Sequence, residues 1–264
     1  MTLIESLLLG VIQGLTEFLP VSSSGHIEIG QAILGTESLK DQEELLSVVL
    51  HAATALATIF VFRKDILAII IGLFSKDATE SRKFALFVLA SMVPAAFVGI
   101  FFDDLLHQLF EGQLILVCAM LLLTGALLLF ADKAKTEHTQ ELTLGKAIII
   151  GIAQAIAILP GISRSGATIS TSILLNIDKA QAARFSFLMV IPLILGKMAK
   201  DILDGKLHLT EELVMPFGVG FIAALISGIF ACQWMIAIVK RSKLSYFAYY
   251  CWAVGIIGLV YALV

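Results

Sequence analysis

Charge is what this sequence has least of. Asp, Glu, Lys and Arg make up 15% of its 264 residues, where a soluble domain carries about 25%. Hydrophobic residues reach 59% and mean hydropathy is +0.97, a composition that calls for a membrane. Basic excess is missing too: the net charge of −3 suggests no nucleic-acid partner. Cysteine is scarce, and Cys118, Cys232 and Cys251 all sit in apolar runs. They lack metal spacing and read as packing residues. The first twenty residues contain Glu5, Gln13 and Glu17 but no basic n-region, so they do not read as a cleaved signal peptide, and the chain reads as mature protein.

Long apolar runs are what it does have. A helix needs about 20 apolar residues to cross a bilayer, and six segments qualify: 45–62, 84–102, 114–131, 182–199, 214–239 and 244–264. Two others are interrupted. Residues 3–19 stop at Pro20 and resume as 22–34; residues 144–159 stop at Pro160 and resume as 165–177. Proline followed at once by Ser and Gly ends a helix, so each pair reads as a re-entrant helix–loop–helix whose tip is covered by protein. Residues 65–74 are too short to span and read as interfacial.

The tips repeat. A shift of 141 residues lays Gly10, Gln13, Ser22, Ser24 and Gly25 on Gly151, Gln154, Ser163, Ser165 and Gly166. Glu17 then faces Ile158, Ser23 faces Arg164 and His26 faces Ala167. Weaker matches follow in the same order, including Gly99 with Gly228, and Cys118 and Gly125 with Cys251 and Gly258. The fold class predicted is an all-α polytopic membrane protein with six transmembrane helices and two re-entrant hairpins. It is a single membrane domain of two pseudo-repeats, about 1–135 and 140–264. Three spans per half is odd, so the halves are inverted, and the special loops meet at their interface.

Basic residues orient this topology. Lys40, Lys197, Lys200 and Lys206 fall on the face of the N-terminus; thirteen others, among them Arg63, Lys64, Arg82, Lys83, Lys133, Lys146 and Lys243, fall opposite. The thirteen are assigned to the cytoplasm, so the first hairpin opens to the extracytoplasmic side.

Arg164 is the one basic residue outside loops and interfacial ends. A guanidinium at membrane depth marks a functional site with a partner, and its rigid fork suits phosphate oxygens. A bland alternative is an Arg164–Glu17 ion pair that only locks the repeats. Ser23 is the candidate nucleophile, with Ser22 and Ser24 hydrogen-bonding or capping the next helix. Backbone N–H groups at the two helix starts form anion sites. His26, three residues beyond Ser23, is a candidate base, acid or phosphate donor. Gln13 and Glu17 share a helix face and could hold Mg²⁺ or Ca²⁺ or orient the nucleophile. His51, Glu28 and Asp178 are weaker candidates; His107, His138 and His208 read as loop residues without a constellation. Residues 161–165 fit G-x-S-x-S superficially, but no strand–turn–helix context supports a hydrolase elbow.

The run from Gln13 through Glu17-Phe18-Leu19-Pro20-Val21-Ser22-Ser23-Ser24-Gly25-His26 resembles the first signature of the bacterial undecaprenyl-pyrophosphate phosphatases, also called bacitracin-resistance proteins. Pro160-Gly161-Ile162-Ser163-Arg164-Ser165-Gly166-Ala167-Thr168 resembles their second. The family's first motif has Glu or Gln, then Glu four residues on; Gln13 is the variant that weakens an ionised metal ligand there. The resemblance implies essential roles for Glu17, Ser23, His26 and Arg164, with Ser163, Ser165 and Thr168 as phosphate-side support; Ser22, Ser24, Gly25 and Gly166, at the two helix starts, are further phosphate-binding candidates. It implies removal of the terminal phosphate from undecaprenyl pyrophosphate, dependence on Mg²⁺ or Ca²⁺, and a place in peptidoglycan precursor recycling and bacitracin resistance. The expected partners are the polyprenyl pyrophosphate lipid and the bilayer, with a second copy of the chain also considered. Without that resemblance, inverted repeats and broken helices suggest a transporter or flippase.

Overall fold

The computed structural model describes residues 2–34, 40–75, 79–102, 113–134, 139–203, 210–240 and 243–263. Among them are eleven α-helices and no strand. In chain order they are α1 (Leu3–Phe18), α2 (Ser23–Leu34), α3 (Lys40–Val61), α4 (Arg63–Leu73), α5 (Thr79–Phe101), α6 (Leu114–Lys133), α7 (Leu144–Ile156), α8 (Arg164–Leu174), α9 (Lys179–Leu203), α10 (Glu211–Lys240) and α11 (Leu244–Leu263). His107, His138, His208, Lys76, Lys135, Lys206 and Arg241 lie outside the described residues.

The protein is an all-α polytopic membrane protein. Helices α5, α6, α9, α10 and α11 are each long and apolar enough to cross a bilayer. Counted as one broken span, α3 and α4 make a sixth; they meet at 73° at the buried Phe62. No residue of α4 is buried. Large apolar side chains on α5 and α11 remain exposed, among them Phe97, Ile256 and Val260; with lipid as solvent this is their burial.

The broken segments give helices of 16, 12, 13 and 11 residues for α1, α2, α7 and α8. At 1.5 Å per residue they reach roughly 16–24 Å, short of the ~30 Å hydrocarbon core. Helix α1 starts on a capping box, in which Thr2 and Glu5 satisfy each other's backbone N–H groups. Helix α7 starts on Thr143 and ends three residues earlier than its apolar run suggests. There, Ile158 and Leu159 turn back to the carbonyls three residues before them, tightening the chain ahead of Pro160. Helix α8 also stops early, at Asn176, whose φ of 61° makes a left-handed cap. Asn176 N–H reaches the Ile173 carbonyl and Ile177 N–H the Ser172 carbonyl, the Schellman pattern.

Packing exchanges the hairpins between halves. Helix α1 lies along α10, and α7 lies along α5. Gly10 abuts the Gly220 carbonyl and Gly14 abuts Ser227 and the Ala224 carbonyl, with no room for a Cβ at either. This small-residue contact lets two backbones touch in lipid. Between α7 and α5 the equivalent contact is Gly151 against the Ser91 backbone. Across the middle, α3 packs on α10 and α9, and α6 packs on α11. A core centred on Phe18, Phe62, Phe185 and Phe187 fixes the first hairpin from below, with Phe187 in ring contact with both Phe18 and Phe62.

Candidate active site

Each hairpin turns where proline stops its first helix, and the two turns touch. Ser165 Oγ donates to the Leu19 carbonyl at 3.1 Å. A Cβ added at Gly166 would lie 3.4 Å from Pro20, and one at Gly25 would lie 3.4 Å from Gly161. Pro20 and Gly161 are repeat mates, as are Gly25 and Gly166, so the two contacts are one arrangement used twice.

The second turn is held from α6. Thr124 Oγ1 donates to the Gly161 carbonyl at 3.2 Å and accepts the Ser163 N–H at 3.1 Å. Gly161 takes φ +89°, open to glycine at no steric cost. Ser163 then caps α8 by accepting the Gly166 N–H at 3.0 Å, and Arg164 begins the helix. The first turn is less relaxed. Ser22 sits at φ 69°, a left-handed conformation that costs a non-glycine residue about 1 kcal/mol and marks functional sites. Its Oγ accepts the Gly25 N–H at 3.2 Å and lies 3.2 Å from Ser24 Oγ.

These turns bring three predicted residues together on the carboxylate of a fourth, Glu17. Ser23 Oγ donates to Glu17 Oε2 at 2.7 Å. Gln13 Nε2, one helical turn back, donates to the same oxygen at 3.0 Å. Arg164 Nη2 donates to Glu17 Oε1 at 2.5 Å. Glu17 is only 8% exposed, so the guanidinium is what makes a charge tolerable there. Arg164 opens α8, where a cation opposes the helix dipole; an anion at that point would answer both positive features. Two buried atoms beside the pair, Arg164 Nη1 and Gln13 Oε1, have no partner among the described residues.

The remaining predicted residues are placed differently. Thr168 is buried, 2.6 Å from Ser186 Oγ and donating to the Arg164 carbonyl at 2.9 Å, so its hydroxyl seats α8 on α9. Ser163 Oγ lies 3.3 Å from Ser165 Oγ within the cap. His26 turns away from the carboxylate: its Nδ1 is 2.8 Å from the Ser22 carbonyl and its Nε2 is 2.9 Å from Tyr250 Oη on α11. Asp178 caps α9 through the Ala180 and Gln181 N–H groups, away from the cluster.

Three residues undervalued in the sequence belong here. His51 on α3 has Nδ1 2.7 Å from the Ser47 carbonyl and Nε2 3.9 Å from Glu17 Oε2. A histidine in an apolar span was its available signal. Thr124 and Tyr250 carry none, since a hydroxyl in a span has many uses. Among the described residues no group of three or more His, Cys, Asp or Glu could hold a metal.

The profile of the family described as Bacitracin resistance protein BacA matches residues 6–257. Among curated relatives, the chain is 53% identical to an undecaprenyl-diphosphatase of Christiangramia forsetii, covering 99% of both chains. It is 46% identical to one of Bacteroides fragilis, covering 97% of each. A relative of the same name from Carboxydothermus hydrogenoformans is 39% identical, over 97% of this chain and 96% of its own. With paired tips, a cross-repeat Glu17–Arg164 contact and this match over nearly its whole length, the chain belongs to the bacitracin resistance protein BacA family.

Proposed function

We infer that this protein is an undecaprenyl-diphosphatase, hydrolysing a polyprenyl pyrophosphate to the monophosphate and inorganic phosphate. One observation carries the reading: a single buried carboxylate takes the Ser23 hydroxyl on one oxygen and the Arg164 guanidinium on the other. The family's relatives bear that activity in their names, and a multi-pass helical body suits a substrate whose tail stays in lipid.

Ser23 Oγ attacks the terminal phosphorus while its proton passes to Glu17 Oε2. The phosphorus–bridging-oxygen bond breaks, and the polyprenyl monophosphate departs with the bonding electrons. Arg164 has one guanidinium nitrogen on Glu17 and one without a partner, so it can meet phosphate before releasing the carboxylate. It and the N–H groups at the starts of α2 and α8 neutralise the developing charge. Water then opens the phosphoserine: the phosphorus–Oγ bond breaks, Glu17 returns its proton to Ser23, and His26 assists removal of the proton from water. Ser22, Ser24, Gly25, Ser163, Ser165, Gly166 and Thr168 shape and support the phosphate-side walls.

Gln13 Oε1, a buried acceptor without a partner among the described residues, and Glu17 are hard oxygen donors one turn apart. Two such donors fit Mg²⁺ or Ca²⁺ with phosphate and water completing the shell. Bound there, the ion would neutralise pyrophosphate charge. Chelation with EDTA should stop phosphate release, and added Mg²⁺ or Ca²⁺ should restore it.

The basic residues orient the protein in the plasma membrane with its site on the extracytoplasmic side, the two pseudo-repeats (about 1–135 and 140–264) forming one unit. Thr210→Cys should react with an impermeant maleimide on intact cells, and Ser75→Cys only after permeabilisation; the reverse would invert the assignment. Purified protein in detergent should release phosphate from undecaprenyl pyrophosphate and Ser23→Ala should not. Phosphate trapped on Ser23 by rapid quench is the expected intermediate; an active Ser23→Ala protein would leave direct attack by water. Because detergent has no compartments, turnover there separates this reading from transport.

A further inference from the structure

His26 and His51 are built alike up to one contact. Each places Nδ1 against the carbonyl four residues earlier, Ser22 at 2.8 Å and Ser47 at 2.7 Å. A carbonyl only accepts, so each Nδ1 carries the hydrogen. The rings differ at Nε2: that of His51 looks toward Glu17 at 3.9 Å, whereas that of His26 is 2.9 Å from Tyr250 Oη. Tyr250 lies 224 residues away on α11, and the planes of the two rings are within 4° of parallel. With Nδ1–H committed to Ser22, a neutral His26 has only a lone pair at Nε2, and the phenol donates to it. Tyr250 is joined in this by its neighbour Cys251, whose Sγ is 3.7 Å from the Pro20 carbonyl. Two consecutive residues of α11 therefore moor the tip of the first hairpin.

We propose that His26 works through Tyr250 in the hydrolysis: the phenol hydroxyl that holds the His26 ring passes its proton to Nε2 as its oxygen takes the proton of the attacking water. The alternative, a lipid-side tyrosine using His26 only to satisfy its own hydroxyl, predicts no effect on turnover when that hydroxyl is removed. The proposal rests on the phosphatase reading above, with His26 acting in the second step.

The test compares full-length wild type, Tyr250→Phe and Tyr249→Phe in detergent. It measures kcat and KM for undecaprenyl pyrophosphate, and the rate at which diethyl pyrocarbonate modifies each histidine, read by peptide mass spectrometry. Tyr250→Phe should lower kcat about tenfold, the scale of one orienting hydrogen bond, with KM within about twofold. It should also raise His26 modification severalfold, because the phenol no longer covers Nε2, and leave His51 modification unchanged as a measure of intact folding. Tyr249, which meets Trp252 rather than His26, should change nothing. A Tyr250→Phe protein with wild-type kcat overturns the proposal. So does one with reduced kcat but unaltered His26 modification, since the effect then does not pass through His26. Should Tyr250→Phe expose all histidines by unfolding, a double-mutant cycle between Tyr250→Phe and His26→Gln in thermal stability decides: additive losses overturn the contact, strong coupling supports it. A wild type that releases no phosphate removes the phosphatase reading itself, a distinct failure.

Discussion

The two hairpins share a backbone plan and differ in nearly every property that matters for chemistry. Helix α8 is buried from Ser165 to Ser170, and its cap, Ser163, has an ordinary φ of −71°. Helix α2 is half-exposed through His26–Gly30 and is entered through the left-handed Ser22. The relaxed, buried hairpin carries Arg164; the strained, more open one carries Glu17, the Ser23 hydroxyl and the His26 imidazole. Gln13 donates to Glu17, while its repeat mate Gln154, equally buried, has no partner for either amide atom among the described residues. The two turns share one backbone plan, and the differences at three aligned positions divide the charges between them. A site made this way needs both halves, because neither hairpin alone holds a balanced set of charges.

The largest effect should come from the cation. Arg164→Lys is expected to lower kcat by roughly 10²–10³-fold, because a point charge cannot hold Glu17 and phosphate together as a planar fork does; near-normal turnover would remove Arg164 from the phosphate clamp. Next comes Glu17→Ile, which makes the first hairpin resemble the second. It should lower phosphate release by about 10²-fold and lower stability by about 3 kcal/mol, since it strands a mostly buried guanidinium; thermal unfolding measures the second part. The paired glutamines should then separate. Gln13→Leu is expected to slow turnover by about tenfold through loss of the hydrogen bond that orients Glu17, whereas Gln154→Leu should leave turnover unaltered and stability equal or improved by about 1 kcal/mol. Equal effects from the two would erase the distinction between acting and silent halves. Smallest is the contrast at the caps: Ser163→Ala should cost about 1 kcal/mol of stability, and Ser22→Gly should add about 0.5 kcal/mol by relieving its left-handed backbone.

Much of this fold was open to reading because membrane helices obey local rules. Composition, length of apolar run and proline stops located every span and both broken segments within a few residues. The early ends of α7 and α8 were not visible: each depends on turn hydrogen bonds and on a left-handed Asn176 that an apolar run conceals. The cluster of Glu17, Ser23 and Arg164 was accessible because ionisable groups at membrane depth are rare and conspicuous. His51, Thr124 and Tyr250 were not, since a single His, Thr or Tyr in a span has ordinary structural uses and only a neighbour distinguishes them. Likewise Thr168, which lies within a phosphate-side motif, turns its hydroxyl to Ser186 because α9 packs against that face.

By itself the sequence determined the solvent, the helices and the existence of two matched turns, all consequences of polarity and of proline acting over a few residues. Tertiary structure decided which residues meet: Glu17 with Arg164 across 147 residues and His26 with Tyr250 across 224. Those meetings follow from how α1 crosses α10, how α7 crosses α5 and how α11 reaches the first turn. Such crossings are set by small-residue contacts between helices distant in the chain, and no local rule encodes them.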